Sequence, residues 1–177
     1  MKTIKKKGIL FWITGLSGSG KTTLGKAIHK DIIRLYGPTI MISGDDLRKM
    51  FNLKGYEYED RLKITKKYCK FAKYVVDQRI NIIFAVVGMF HKARKWNKKN
   101  IQNYIEIYIK SNIKDIIQSK KKKIYRKKNP GKLIGIDIKP EYPKNPHITI
   151  LNNFKVSQIK MKTSLLKKIN DLIYEKK

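Results

Sequence analysis

The chain alternates between short, nearly continuous apolar runs and longer stretches in which apolar residues recur at helical spacing. Residues 8–14, 39–42, 81–87, 104–109 and 148–151 are the short runs, the kind buried on both faces of a parallel sheet. Helical spacing predicts helices over 21–36, 45–51, 59–79, 113–118 and 156–174. The first of these stops at Gly37-Pro38, and the second opens with acidic residues that suit a helix N-terminus. Residues 119–133 are basic and poorly periodic and read as a mobile loop. Strands alternating with helices predict an α/β fold: a parallel sheet of about five strands with helices on both faces.

Composition narrows this to one domain over residues 1–177. Hydrophobic residues make up 41%, enough for a sizeable core, and no Pro/Gly/Ser-rich linker divides the chain. Lys and Arg number 42 against 13 Asp and Glu, a formal net charge of +29. That charge admits a nucleic-acid partner. The lysines spread along the whole chain, however, and a positive field that draws in anionic small molecules explains them better. The single cysteine, Cys69, excludes an internal disulfide and sits at a core-facing helical position. The three histidines are scattered and suggest no metal cluster. The apolar run behind the basic first residues is too short for a signal peptide or a membrane span, so a cytoplasmic location is expected.

The chemistry concentrates at residues 15–22, Gly-Leu-Ser-Gly-Ser-Gly-Lys-Thr, a complete G-x-x-x-x-G-K-[ST] string between a predicted strand and a predicted helix. Glycines there let backbone N–H groups turn inward around a β-phosphate, and the helix behind adds its positive end. Lys21 reaches the β- and γ-oxygens, and the Thr22 hydroxyl completes an Mg²⁺ shell. The expected ATP-binding residues are Gly15, Ser17, Gly18, Ser19, Gly20, Lys21, Thr22 and Thr23. An ordinary glycine-rich turn is the competing reading, disfavoured by the complete motif. No N-K-x-D string exists to read guanine, the chain is short for a motor domain, and a second charged segment follows the second strand. A P-loop kinase fits best; a polynucleotide-binding P-loop module and a non-catalytic nucleotide sensor are the other classes.

Residues 11–23 resemble the opening of the adenylylsulfate kinases. The resemblance continues at Gly44-Asp45-Asp46-Leu47-Arg48 with Asn52, at Glu59-Asp60-Arg61, at Gly135-Ile136-Asp137, and at Glu141-Tyr142-Pro143-Lys144-Asn145-Pro146. It implies transfer of the γ-phosphate of ATP, with Mg²⁺, to the ribose 3′-hydroxyl of a small anionic nucleotide. Asp45 would be the catalytic base beside Lys21, or would order a metal-bound water; it could equally cap the following helix. Arg48 and Arg61 match acceptor-binding arginines, although surface ion pairing is the plainer role. Asn52, Tyr56, Phe90, His91, Lys132, Leu133 and Ile136 complete the acceptor set implied by the resemblance. Related kinases are often homodimers, and that expectation carries over.

The departures bear on the acceptor. Ser43 stands where the family has an aspartate, Ile64 replaces an asparagine, and Leu133 replaces the phenylalanine that stacks on the acceptor adenine. The family's S-P-Y-R-x-x-R reads Gly88-Met89-Phe90-His91-Lys92-Ala93-Arg94. Base–aromatic stacking is worth about 1–3 kcal/mol per base, so a lost platform favours a smaller base. The pattern resembles a divergent branch of the family in which one activity is phosphorylation of cytidine diphosphoramidate during the making of capsule phosphoramidate groups. That acceptor is expected ahead of adenylylsulfate. A basic lid over about 119–135 would close on the site, unless its lysines are only a solvated run.

Overall fold

The computed structural model describes residues 7–119 and 133–174. Five strands, β1 (Leu10–Thr14), β2 (Thr39–Ser43), β3 (Asn81–Ala85), β4 (Tyr104–Lys110) and β5 (Ile148–Leu151), form one parallel sheet in the order β2-β3-β1-β4-β5. The helices are α1 (Lys21–Tyr36), α2 (Gly44–Met50), α3 (Tyr58–Asp77), α4 (His91–Asn100), α5 (Ile113–Gln118) and α6 (Gln158–Tyr174). The α/β expectation holds, and α1 has the bounds that its periodicity predicts. Several other boundaries differ from the apolar pattern by one or two residues. β1 starts two residues late, α3 ends at Asp77 rather than Arg79, β3 ends at Ala85 rather than Val87, and α6 starts at Gln158 rather than Val156. One difference is larger: α4 was not expected at all.

Period-two alternation along β1 divides the core. Leu10 and Trp12 face α2, α3, α4 and α5, whereas Phe11 and Ile13 face α1 and α6. All four side chains are fully buried. Helix α1 meets the sheet through Leu24, Ile28 and Ile32, one residue per turn on a single face. Cys69 is buried against α4, as its position in the helix predicts, and burial pushes its thiol up to about 12.

This layering places the carboxyl ends of β1, β2 and β3 side by side, where open α/β sheets bind ligands. β1 is the central strand, paired with both β3 and β4. The loop that follows it is therefore held from two sides. The lid expected over 119–135, including Lys132, falls almost wholly outside the described residues.

Candidate active site

The loop after β1 turns through conformations that only glycine adopts without strain. Gly18 and Gly20 have φ of 79° and 93°. The turn is closed by the Ser19 N–H, which donates to Leu16 O at 3.1 Å, and α1 begins at Lys21. Its outer side is clamped by a distant residue. Asn152, buried just beyond β5, donates through Nδ2 to Ser19 O at 2.9 Å. A Cβ on Gly20 would stand 3.0 Å from that same amide nitrogen. Lys21 is buried and donates through Nζ to Leu16 O at 2.7 Å, so its ammonium lies along the inside of the loop.

The loop opens into a cavity of about 450 Å³. Ser17, Gly18, Gly20, Lys21, Thr22 and Thr23 line it, with Asp45 facing them from α2. Gly15 and Ser19 are buried behind this lining, and the Ser19 hydroxyl has no hydrogen-bond partner. Asn152, Phe154 and Val156 form the far wall.

The donors that line the cavity suit an Mg²⁺ ion. Thr22 and Asp45 offer only hard oxygen atoms. Among the described residues no group of three or more His, Cys, Asp or Glu could hold an ion by itself. Mg²⁺ binds through one or two protein oxygens while keeping waters and phosphate oxygens, so this donor set fits it.

Asp45 owes its position to the residues around it. The N-cap of α2 is Ser43, whose Oγ accepts from the Asp46 N–H at 3.2 Å, while the Asp46 carboxylate accepts from the Ser43 N–H at 2.8 Å. This reciprocal capping box assigns capping to Ser43 and Asp46 and corrects the alternative that Asp45 caps the helix. The hydrogen bonds from the Ser43 side chain and backbone hold the Asp46 carboxyl below the usual carboxylate range. Asp45 is left exposed and directed into the cavity. Behind it, the Tyr68 hydroxyl donates to Gly44 O at 2.9 Å, and burial raises that phenol to about 12.

A second cavity of about 230 Å³ adjoins the first. Ser17, Gly44, Asp45, Val86 and Val87 line both, so Asp45 stands where the two meet. Of the expected acceptor residues, Arg48, Tyr56, Arg61, Phe90 and Leu133 line the second cavity. Arg48 Nη1 donates to Leu53 O and Gly55 O at 2.8 and 3.1 Å, and Arg61 Nε donates to Tyr56 O at 2.8 Å. Both guanidinium groups lie against the Tyr56 ring, 4.7 and 5.2 Å from its centre. Phe90 is buried edge-on to Tyr58, with ring centres 5.3 Å apart.

Three expected residues lie elsewhere. Asn52 has φ of 47° and follows the end of α2, and the next residue's N–H donates back to Arg48 O at 3.0 Å. That is a Schellman-type helix end, in which asparagine tolerates the left-handed position. His91 is exposed at the start of α4, and its Nδ1 lies 2.7 Å from Arg94 Nη2. Ile136 is 48% exposed in a turn whose neighbours Leu133 and Ile134 face the cavity instead. Gly135 in that turn packs on the phosphate loop, since a Cβ there would approach Leu16 Cδ2 to 2.9 Å. Asp137 accepts from the Leu133 N–H at 2.7 Å and fixes the turn.

Sequence reasoning missed Thr65 and Tyr68, which also line the second cavity, and Asn152. Thr65 and Tyr68 sit at core-facing positions of α3, and no local motif marks them. Asn152 could have been suspected only as a polar residue directly after a buried strand.

The chain is similar to known proteins along most of its length. The family model described as adenylylsulphate kinase matches residues 7–151. A cytidine diphosphoramidate kinase of Campylobacter jejuni is 33% identical over 166 residues, covering 92% of this chain and 96% of that protein. An adenylyl-sulfate kinase of Clostridium acetobutylicum is 33% identical over 154 residues, covering 84% of this chain and 77% of that protein. An APS kinase of Mycobacterium tuberculosis, solved with AMPPNP and APS, superposes with a TM-score of 0.81 at 21% identity, covering 93% of this chain and 98% of that one. On the family match and the two relatives, the chain belongs to the adenylylsulphate kinase family and is a phosphotransferase that uses ATP and an alcohol acceptor.

Proposed function

We propose that this kinase transfers the γ-phosphate of ATP to the ribose 3′-hydroxyl of a nucleotide with a charged distal group, and that the nucleotide is cytidine diphosphoramidate. The observation that carries the reading is the junction of the two cavities at Asp45. ATP enters the larger one with its phosphates on the loop. Lys21 and the inward-turned amides hold the γ-phosphate, and a hydroxyl from the smaller cavity attacks in line. Asp45 accepts its proton. Mg²⁺, held by Thr22 and through water by Asp45, would neutralise charge on the β- and γ-oxygens.

The acceptor's distal phosphate-like group goes to Arg48 and Arg61, whose guanidinium planes suit it. Its base packs between Tyr56 or Phe90 and the aliphatic Leu133. Ile64, buried in the same wall, supplies apolar surface where the family resemblance expects an amide. These features support a smaller base than adenine, and the Campylobacter relative supports cytidine diphosphoramidate by name. Adenylylsulfate is the second reading, supported by the family model and the clostridial relative. A homodimer, carried over from family resemblance, belongs to the same proposal and is read by sedimentation equilibrium.

The test is ADP release with the two acceptors side by side. Faster turnover of cytidine diphosphoramidate is expected, and a clear preference for adenylylsulfate would overturn the choice.

A further inference from the structure

The acceptor cavity has a back wall made by Gly88 and Phe90, and neither residue is held there by its own side-chain hydrogen bonds. Arg94, in the first turns of α4, is 5% exposed, and its whole fork is engaged. Nε pairs with Glu106 of β4 at 3.1 Å. Nη1 donates to Gly88 O at 3.3 Å, and Nη2 donates to Glu141 O at 2.6 Å and meets His91 Nδ1 at 2.7 Å. Glu141 closes the circuit. Its carboxylate accepts from the Tyr58 hydroxyl at 2.8 Å and from the His91 N–H, and its own N–H donates to Met89 O at 3.2 Å.

Three segments that are distant in sequence, residues 88–91, β4 and the stretch after the Gly135 turn, are thus tied directly to one guanidinium, and Glu141 ties in a fourth, the start of α3. Arg94 itself is not among the residues that line this cavity. The wall it holds has little slack. Gly88 has φ of 43°, and a Cβ there would approach Trp12 Cζ2 to 2.9 Å.

We infer that Arg94 is a positioning residue: with Glu141 it forms a clasp that sets the Gly88–Phe90 wall against Leu133 and Ile134, and so fixes where the acceptor nucleotide sits. A merely structural ion pair would need only Glu106. The contacts to Gly88 O and Glu141 O need the planar fork, which lysine lacks. The inference rests on the proposed acceptor site, and its test separates the two.

Arg94→Lys keeps the charge beside Glu106 and loses the fork. Tyr58→Phe keeps the ring against Phe90 and removes one bond to Glu141, and it carries the test if the lysine variant does not fold. Both are compared with the wild type by amide hydrogen exchange and by steady-state kinetics with the acceptor that the wild type prefers. The amides of His91 and Glu141 are expected to exchange about tenfold faster or more, while β1 and α1 keep their protection. The KM for the acceptor is expected to rise about tenfold, with kcat and the KM for ATP within about twofold of wild type. Unchanged exchange at these two amides would overturn the clasp, as would a uniform loss of protection in which kcat and both KM values worsen together. If the wild type phosphorylates neither acceptor, the proposed function fails, and amide exchange still decides the clasp.

Discussion

Asp45 and Asp46 are neighbours with opposite tasks, and the backbone separates them. Asp46 turns back to Ser43 and completes the cap, whereas Asp45 faces the cavities. If Asp45 is the proton acceptor proposed above, Asp45→Ala is expected to lower kcat by about 10²–10⁴ and leave the melting temperature unchanged, because it removes that acceptor and no cap. Stopped-time ADP assays and calorimetry read the two effects separately. Ser43→Ala has the reverse profile: a loss of about 0.5–2 kcal/mol in urea unfolding, with the chemistry retained. The Asp46 pKa is depressed in the folded protein, so its stabilising contribution is present above the unfolded carboxylate pKa. That contribution is lost as pH falls through the folded value. Urea midpoints measured from pH 5 downward should therefore fall less steeply in Asp46→Asn than in wild type.

At the scale of elements, legibility follows locality. The phosphate loop and α1 were readable because motif, turn and helix are contiguous. Helix α4 was not, because the residues it buries are Ala93, Arg94 and Asn97. A helix that sends an arginine and an asparagine inward shows no apolar stripe, and the partner that makes this tolerable, Glu106, lies on another element. Glu106 likewise interrupts the apolar run of β4 without ending the strand. Five of the residues that motif matching proposes for an acceptor line the second cavity, yet motif matching could not separate them from Asn52, a helix end, or His91, at the mouth of α4. Packing between elements decides those cases. It also protects Cys69, with its thiol raised to about 12 under α4. Ellman's reagent at pH 8 should find no reactive thiol in the native protein and one after denaturation; rapid native labelling would mean that α4 does not cover α3 as described.

For the whole molecule, a formal charge of +29 acts at longer range than any single contact. ATP and the nucleotide acceptor proposed above are anions, so the field should help collect them. Raising salt from about 50 to 300 mM should increase both KM values while kcat changes little, since screening weakens capture more than chemistry within the site. Salt-independent KM values would show that the lysines are a solvated surface with no part in substrate capture. Among the described residues no helix is long and apolar enough to cross a membrane, so none of this charge flanks a helical span there.

The Asn152 clamp has a consequence in time. The loop over residues 15–22 is contiguous, but Ser19 O receives its partner only when residue 152 joins it, a separation of 133 residues. β1 must also wait for β3 and β4 on either side. On a ribosome, then, the loop is synthesised well before the residue that clamps it, and it is expected to become competent for nucleotide only once β5 and Asn152 have joined. Nascent chains stalled before β5 should fail to be retained on immobilised ATP, and those released after it should bind.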